Sequence, residues 1–285
     1  ENRNLNNFEP ERPGGLVQTN LHGEQLQEKD SEVFGHNFPK KPFENSSIIT
    51  FQNVGRLPRG GHGHKSVQMA KAFKDSNASI ALYAEPSIND RFLNPNEKFK
   101  DRMRMKNPGA FSILSYNNNM GEDARWNTIG GTAITMDSNF TSHMPQQGYG
   151  KDKSGLGRWS WVRIRGCGNI FTRFITAYRP CKNEKSMQGC WGQHVNYYRN
   201  KCNIRNPDPR KIFDDELCKE LDVWHELGDN LVIGIDANDD VQQSHFANRL
   251  KSSYKLKDGV LSTHIDQPPP ATFNRNTNRK VIDAI

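Results

Sequence analysis

The sequence predicts a layered α/β protein, and three observations carry that prediction. Short apolar runs, Ile48 to Gln52, Ile80 to Ala84 and Leu231 to Ile235, suit strands buried in a sheet. Each stops abruptly at a polar group: Asn53, Glu85 and Asp236. Amphipathic helical segments starting near residues 64, 208 and 241 accompany them, which favours one layered domain over two. Open α/β sheets hold their sites at the carboxyl ends of strands, so these three ends mark where chemistry is to be sought.

Residues 1–47 are rich in Asn, Glu, Pro, Gly and Lys, with apolar residues at neither helical nor strand spacing. They read as a disordered or extended N-terminal arm, and residues 48–285 as the folded domain. After the first strand, glycines and a proline from Gly55 to Gly63 form a loop, and His64 to Asn77 carries Val67, Ala70, Ala72 and Phe73 on one helical face. Ile80 to Ala84 ends at Glu85, where Pro86 halts the strand. A polar loop bearing Met and Arg follows. Ala110 to Tyr116, Thr128 to Met136, Arg158 to Arg165 and Ile170 to Tyr178 read as four more strands, whose alternation fits an antiparallel sheet with one wetter face. Gly166 to Asn169 makes a tight hairpin between the last two. Asn139 to Gly157 reads as a polar loop.

Helical patterns recur from Gln193 to Cys202 and from Pro209 to about Leu227. In the second, Asp208 caps, Pro209 suits the first turn, Phe213, Leu217, Leu221 and Trp224 form one apolar face, and Gly228 stops it. That helix leads into LVIGIDANDD, Leu231 to Asp240, where Asp236, Asn238, Asp239 and Asp240 cluster after the strand. Val241 to Tyr254 is a further amphipathic segment. Val281 to Ile285 reads as a last strand with Asp283 inside it.

The 285 residues include 39 Lys and Arg against 32 Asp and Glu, a formal charge of +7, which favours an anionic partner such as nucleic acid. No apolar run approaches the length of a membrane span, and no signal-peptide core opens the sequence. The five cysteines are widely spaced without a CxxC pair, so neither a zinc site nor a disulfide framework is indicated. A reducing, intracellular compartment is the simpler reading.

The ordered set FQNVGRL, LYAEPSIN, TAYRPC, IGIDANDDV and ATFNRNTNRKVIDAI resembles the endonuclease/exonuclease/phosphatase superfamily, which includes apurinic/apyrimidinic endonucleases, DNase I and endonuclease domains of non-LTR retroelements. The retroelement branch is the most similar. The resemblance implies a four-layer α/β/β/α sandwich of the DNase I type. It implies that Glu85, with Asn53, holds a divalent metal, Mg²⁺ or Mn²⁺; that Asp236 and Asn238 form the family's Asp-x-Asn pair; and that Tyr178 contacts the scissile phosphate. Thr272 matches the family's Thr before an aromatic, and Asp283 the aspartate that orients a catalytic histidine. None of the nine histidines follows Asp283, so the expectation is a domain lacking its last C-terminal segment. His245 and His264 read as surface residues, and His62 and His64 as part of a glycine loop.

Residue chemistry agrees with this assignment. Hydrolysis of a phosphodiester needs a cation to neutralise growing phosphate charge, and hard Mg²⁺ is satisfied by one or two carboxylates plus water and phosphate oxygens. Asp236 can orient or deprotonate the attacking water, while Asn53 and Asn238 supply neutral donors. Arg179, Arg275 and Arg279 lie beside the motifs and are candidates for flanking phosphates, with Thr272 also on the substrate side. The expected activity is metal-dependent cleavage of DNA by a retroelement-type endonuclease in the nucleus, without a membrane or an obligate protein partner. Phosphomonoester hydrolysis and non-catalytic nucleic-acid binding are the alternatives.

Overall fold

Two β-sheets stack face to face and helices cover their outer faces in the computed structural model, which describes residues 46–58, 64–119, 128–184, 187–263, 272–275 and 278–285. The described residues belong to one compact unit, Asn37–Ile285, and the arm expected at the N-terminus lies outside them up to residue 45.

Strand β1 (Ile49–Asn53) runs through helix α1 (His64–Asp75) into β2 (Ile80–Ala84), and the two strands pair in parallel. Helix α2 (Phe99–Arg104) precedes β3 (Phe111–Ser115) and β4 (Thr132–Met136), completing a sheet of order β1-β2-β4-β3. The one-turn helix α3 (Ser138–Thr141) and short strand β5 (Tyr149–Lys151) then lead to β6 (Trp159–Arg165) and β7 (Phe171–Tyr178). Helices α4 (Cys190–Lys201) and α5 (Pro209–Glu226) cross over to β8 (Asn230–Asp236), which pairs with β7 in parallel. After α6 (His245–Tyr254) and α7 (Gly259–Thr263), a hairpin of β9 (Phe273–Arg275) and β10 (Asn278–Lys280) precedes β11 (Asp283–Ala284). The second sheet has the order β11-β8-β7-β6-β5.

The period of two along each strand sorts the apolar residues into layers. Ile80 and Leu82 of β2 meet Val162, Ile164 and Phe174 between the sheets, while Ala81 and Tyr83 pack outward with Phe73, Phe99 and Met103. On the other side, Ile175, Ile233 and Ile235 pack with Phe213, Leu217, Leu221 and Trp224 of α5. The layers are therefore α/β/β/α, as the resemblance implies. Gly234 lets the sheets close: a Cβ there would lie 2.5 Å from the Phe51 ring and 2.9 Å from Leu82. The Thr176 hydroxyl donates across the gap to the Tyr83 carbonyl at 3.1 Å.

Helix α5 begins and ends as its sequence dictates, with the Asp208 carboxylate accepting from the Arg210 and Lys211 amides and Gly228 at φ +76° just past its end. Other expectations needed correction. The polar loop before β3 contains α2, whose Phe99, Arg102 and Met103 are buried; FKDRMR shows only two apolar positions, so its inner face is invisible to hydropathy. Arg102 fills the rest of that face, donating to the Pro58 carbonyl at 2.6 Å and the Ser66 hydroxyl at 3.0 Å. The loop expected from Asn139 to Gly157 contains α3 and β5, which adds to the edge of β6. The four middle strands do not form one antiparallel sheet: β3 and β4 belong to the first sheet, β6 and β7 to the second. Residues 241–244 form a turn before α6, capped by Ser244, and the last strand shortens to Asp283–Ala284.

Candidate active site

The layered packing brings strand ends from both sheets to one edge of the sandwich. In the first sheet Asn53 pairs with Ala84, so β1 and β2 finish level and Glu85 follows directly. In the second, Asp236 of β8 lies opposite Tyr178 of β7 on one side and Asp283 of β11 on the other. Because Ile235 and Ala237 pack toward α5, the alternation turns Asp236 inward, to the gap between the sheets.

Asn53 joins the two sheets across that gap. Its Nδ2 donates to Asp236 Oδ2 at 2.7 Å and lies 3.3 Å from Glu85 Oε2, while its Oδ1 accepts from the Gly55 amide at 2.8 Å. A neutral amide thus spaces two carboxylates that would otherwise repel. The Asn238 amide donates to Asp236 Oδ1 at 3.0 Å, leaving each Asp236 oxygen with one fixed donor. Burial pushes the Asp236 carboxyl up to about 7, with Asp283 and Glu85 adding to the shift and the Asn238 and Asn53 donors opposing it. Asp283 is raised in the same direction by burial and by Glu85, against a hydrogen bond from Thr272, and its Oδ1 is buried without a protein partner.

Backbone strain converges here as well. Glu85, Ser87 and Asn238 have φ of +59°, +52° and +47°, a left-handed conformation that costs an L-residue about 1–2 kcal/mol. The Glu85 amide is held by the Gly131 carbonyl at 2.9 Å, and the Ser87 amide by the Gly130 carbonyl at 2.9 Å. Gly130 itself sits at φ +84°, where a Cβ would come within 3.0 Å of the Tyr178 ring. That close approach packs Tyr178 with Ala84 and Cys190, and burial raises the Tyr178 hydroxyl well above the usual phenol range.

Of the residues singled out in the sequence, Asn53, Glu85, Asp236, Asn238, Tyr178 and Asp283 come together at this edge. Arg179, expected to reach a flanking phosphate, instead forks onto Asp214 of α5 at 2.6 and 2.7 Å and contacts Asp239 at 3.1 Å. Its carbonyl accepts from Asn238 Nδ2 at 2.8 Å, so it braces the DANDD turn. Thr272, also expected on the substrate side, accepts at its hydroxyl from the Ile282 and Asp283 amides at 2.9 and 3.1 Å. That positions the Asp283 segment. Arg275 lies in β9, and its side chain falls outside the described residues. Arg210, which sequence reasoning missed, donates to the Asn238 carbonyl at 3.0 Å and pairs with Asp239 at 2.9 Å. Only its place just inside the α5 start hinted at this.

A hard divalent cation suits the donor set. Glu85 offers a partly exposed carboxylate beside an amide, and the neighbouring buried carboxylates concentrate negative charge that a cation would relieve. Among the described residues no three His, Cys, Asp or Glu side chains form a cage of their own. One carboxylate plus water and substrate oxygens is the coordination Mg²⁺ prefers.

No family model and no curated protein matches the sequence. Solved structures do match. The human Nocturnin catalytic domain with bound sulfate shares 10% identity over 82% of this chain and 79% of its own, with a TM-score of 0.50. A mannosyl-6-phosphatase of Bacteroides thetaiotaomicron shares 15% identity over 84% of each chain, TM-score 0.49, and the endonuclease domain of the TRAS1 non-LTR retrotransposon 13% over 83% and 82%, TM-score 0.44. With two stacked sheets flanked by helices and its polar strand ends gathered at one edge, the chain has a DNase I-like α/β/β/α fold.

Proposed function

We propose that the protein is a divalent-metal-dependent phosphodiesterase that cleaves nucleic acid, DNA in particular, in the manner of a retroelement-type endonuclease. The observation that carries this reading is the Asn53 bridge, which sets Glu85 and Asp236 side by side at the meeting of two sheets. Glu85 and Asn53 are the residues that would hold Mg²⁺, which when bound supplies charge neutralisation for the phosphate. Asp236, fixed by one donor on each oxygen, keeps a lone pair on each to align a water and accept its proton. Burial raises its proton affinity toward neutrality, and a cation on Glu85 would bring it down again. Asp283 and Tyr178 flank it, and Arg179 and Thr272 act through the backbone they hold. The excess of basic residues draws in the polyanion.

The test is nicking of supercoiled plasmid by wild type and Asp236→Asn across a Mg²⁺ titration, alongside a phosphomonoester panel. Metal-dependent nicking that falls by 10²-fold or more in the variant is expected, the order typical of losing a catalytic acid–base group. Release of phosphate from monoesters without nicking would make it a phosphatase.

A further inference from the structure

We infer that a groove along α4 is a subsite for an unpaired nucleotide of the substrate strand, a few residues from the scissile phosphate. This rests on the nucleic-acid reading above. The groove, of about 420 Å³, has Asn117, Gln193, Asn196, Tyr197, Asn200 and Lys201 among its lining residues. Six amides, one aromatic ring, one thioether and one cation make an unusual wall, and its amides, ring and cation each answer a part of a nucleotide. An amide presents a donor and an acceptor in one plane, as a base edge does. A tyrosine ring offers a stacking face, and lysine answers a phosphate.

The amides divide into a locked floor and an open rim. Asn117, buried, donates to Gln193 Oε1 at 3.1 Å and accepts from the Asn119 amide at 3.0 Å, while Gln193 donates to the Gln188 carbonyl at 3.2 Å. Asn196 and Asn200 are exposed four residues apart, so they stand on one face of the helix. Tyr197 and Lys201 repeat that spacing alongside. Tyr197 is braced, its ring lying edge-on to Tyr198 at 5.4 Å. Tyr198 in turn accepts from buried Arg158 at 2.8 Å, and Arg158 is paired with Asp152 at 2.6 Å. The stacking platform is thus ordered before any base arrives, which lowers the cost of binding.

The helix also ties the groove to the site. Cys190, in its first turn, packs with Tyr178 and Ala84, and ten residues of helix span about 15 Å. That is the reach of a few nucleotides. A paired base keeps its stacking face covered by its neighbours, so an occupant that stacks on Tyr197 is single-stranded or flipped out.

The experiment measures Kd for single-stranded oligonucleotides from a dinucleotide upward, with wild type, Tyr197→Ala and Asn196→Ala/Asn200→Ala, and in parallel cleavage of the longest strand. All three positions lie on the helix surface or rim, and circular dichroism checks the fold. Wild-type affinity should climb once the strand is long enough to reach α4. In Tyr197→Ala that gain should shrink by about tenfold or more, while dinucleotide binding stays near the wild-type value. A wild type that cleaves strands and a variant with an undiminished gain would overturn the subsite while leaving the proposed function standing. A wild type that neither binds nor cleaves any strand would overturn both.

Discussion

Glu85 shows how much a single position is asked to bear. It holds a left-handed backbone costing about 1–2 kcal/mol and sits beside two other carboxylates, while its side chain receives one long hydrogen bond, from Asn53 Nδ2 at 3.3 Å, which offsets only part of this cost. Glycine adopts that conformation freely and forfeits about 0.5–1 kcal/mol in unfolded-state entropy. Glu85→Gly is therefore expected to leave stability unchanged or raise it by up to about 1 kcal/mol while abolishing metal-dependent cleavage; urea melts together with nicking assays check both halves. A fall in stability of more than about 1 kcal/mol would show that the strain is not real. His194 offers a second test, away from the site. It is buried beside Cys190, its Nε2 3.5 Å from the sulfur, and burial holds its imidazole down to about 3. The folded state thus refuses a proton that the unfolded chain takes up below about 6.5. Its contribution to stability is full above that pH and declines by about 1.4 kcal/mol per unit as pH falls toward 3. His194→Leu should lose this slope, so the gap between wild-type and variant stability, measured by urea melts at several pH values, should change steadily between pH 6.5 and 3. A constant gap would refute the assignment.

At the scale of elements, much was legible and the reasons for the rest are physical. The strands ending at Glu85 and Asp236 were readable because their apolar runs are buried, the edge strand ending at Asn53 because a short apolar run stops at a polar residue although it is only half-buried, and α5 because its cap, proline, apolar stripe and terminal glycine agree. What hydropathy missed, it missed because charged residues fill core positions: Arg102 in α2, and the Arg158–Asp152 pair that anchors the segment after β5. The same blindness misplaced Arg179, whose exposure could not be read from a motif; Asp214, its partner, lies 35 positions away on a helix. Burying a bidentate pair makes its two halves interdependent. Replacing Arg158 by Met strands Asp152, which receives hydrogen bonds from Arg158 at 2.6 and 2.8 Å, and should cost about 3–5 kcal/mol in thermal or chemical melts. A loss under 1 kcal/mol would mean that water already reaches the pair. The strand Asp283–Ala284 was legible as a site element only through the resemblance, since two paired residues carry no periodicity.

Over the whole molecule, the sandwich converts two parallel strand pairs into one acidic edge on a chain of net positive charge. Those opposite tendencies have separate jobs in this account: the basic excess gathers a polyanion, and the carboxylates, with a cation, act on one phosphate. Affinity for DNA should therefore fall steeply with salt, the logarithm of the binding constant dropping by about 0.9 per phosphate neutralised for each tenfold rise. Flat salt dependence would remove the nucleic-acid reading. The central claim, that Glu85 holds a cation on which cleavage depends, is tested most directly by titrating Mg²⁺ calorimetrically into wild type and Glu85→Gln and assaying the same preparations for phosphodiester cleavage. The account expects one binding event in the wild type, lost or weakened by about tenfold or more in the variant, with cleavage lost in step and the fold unchanged by circular dichroism. A variant that binds Mg²⁺ and cleaves as the wild type does would contradict it.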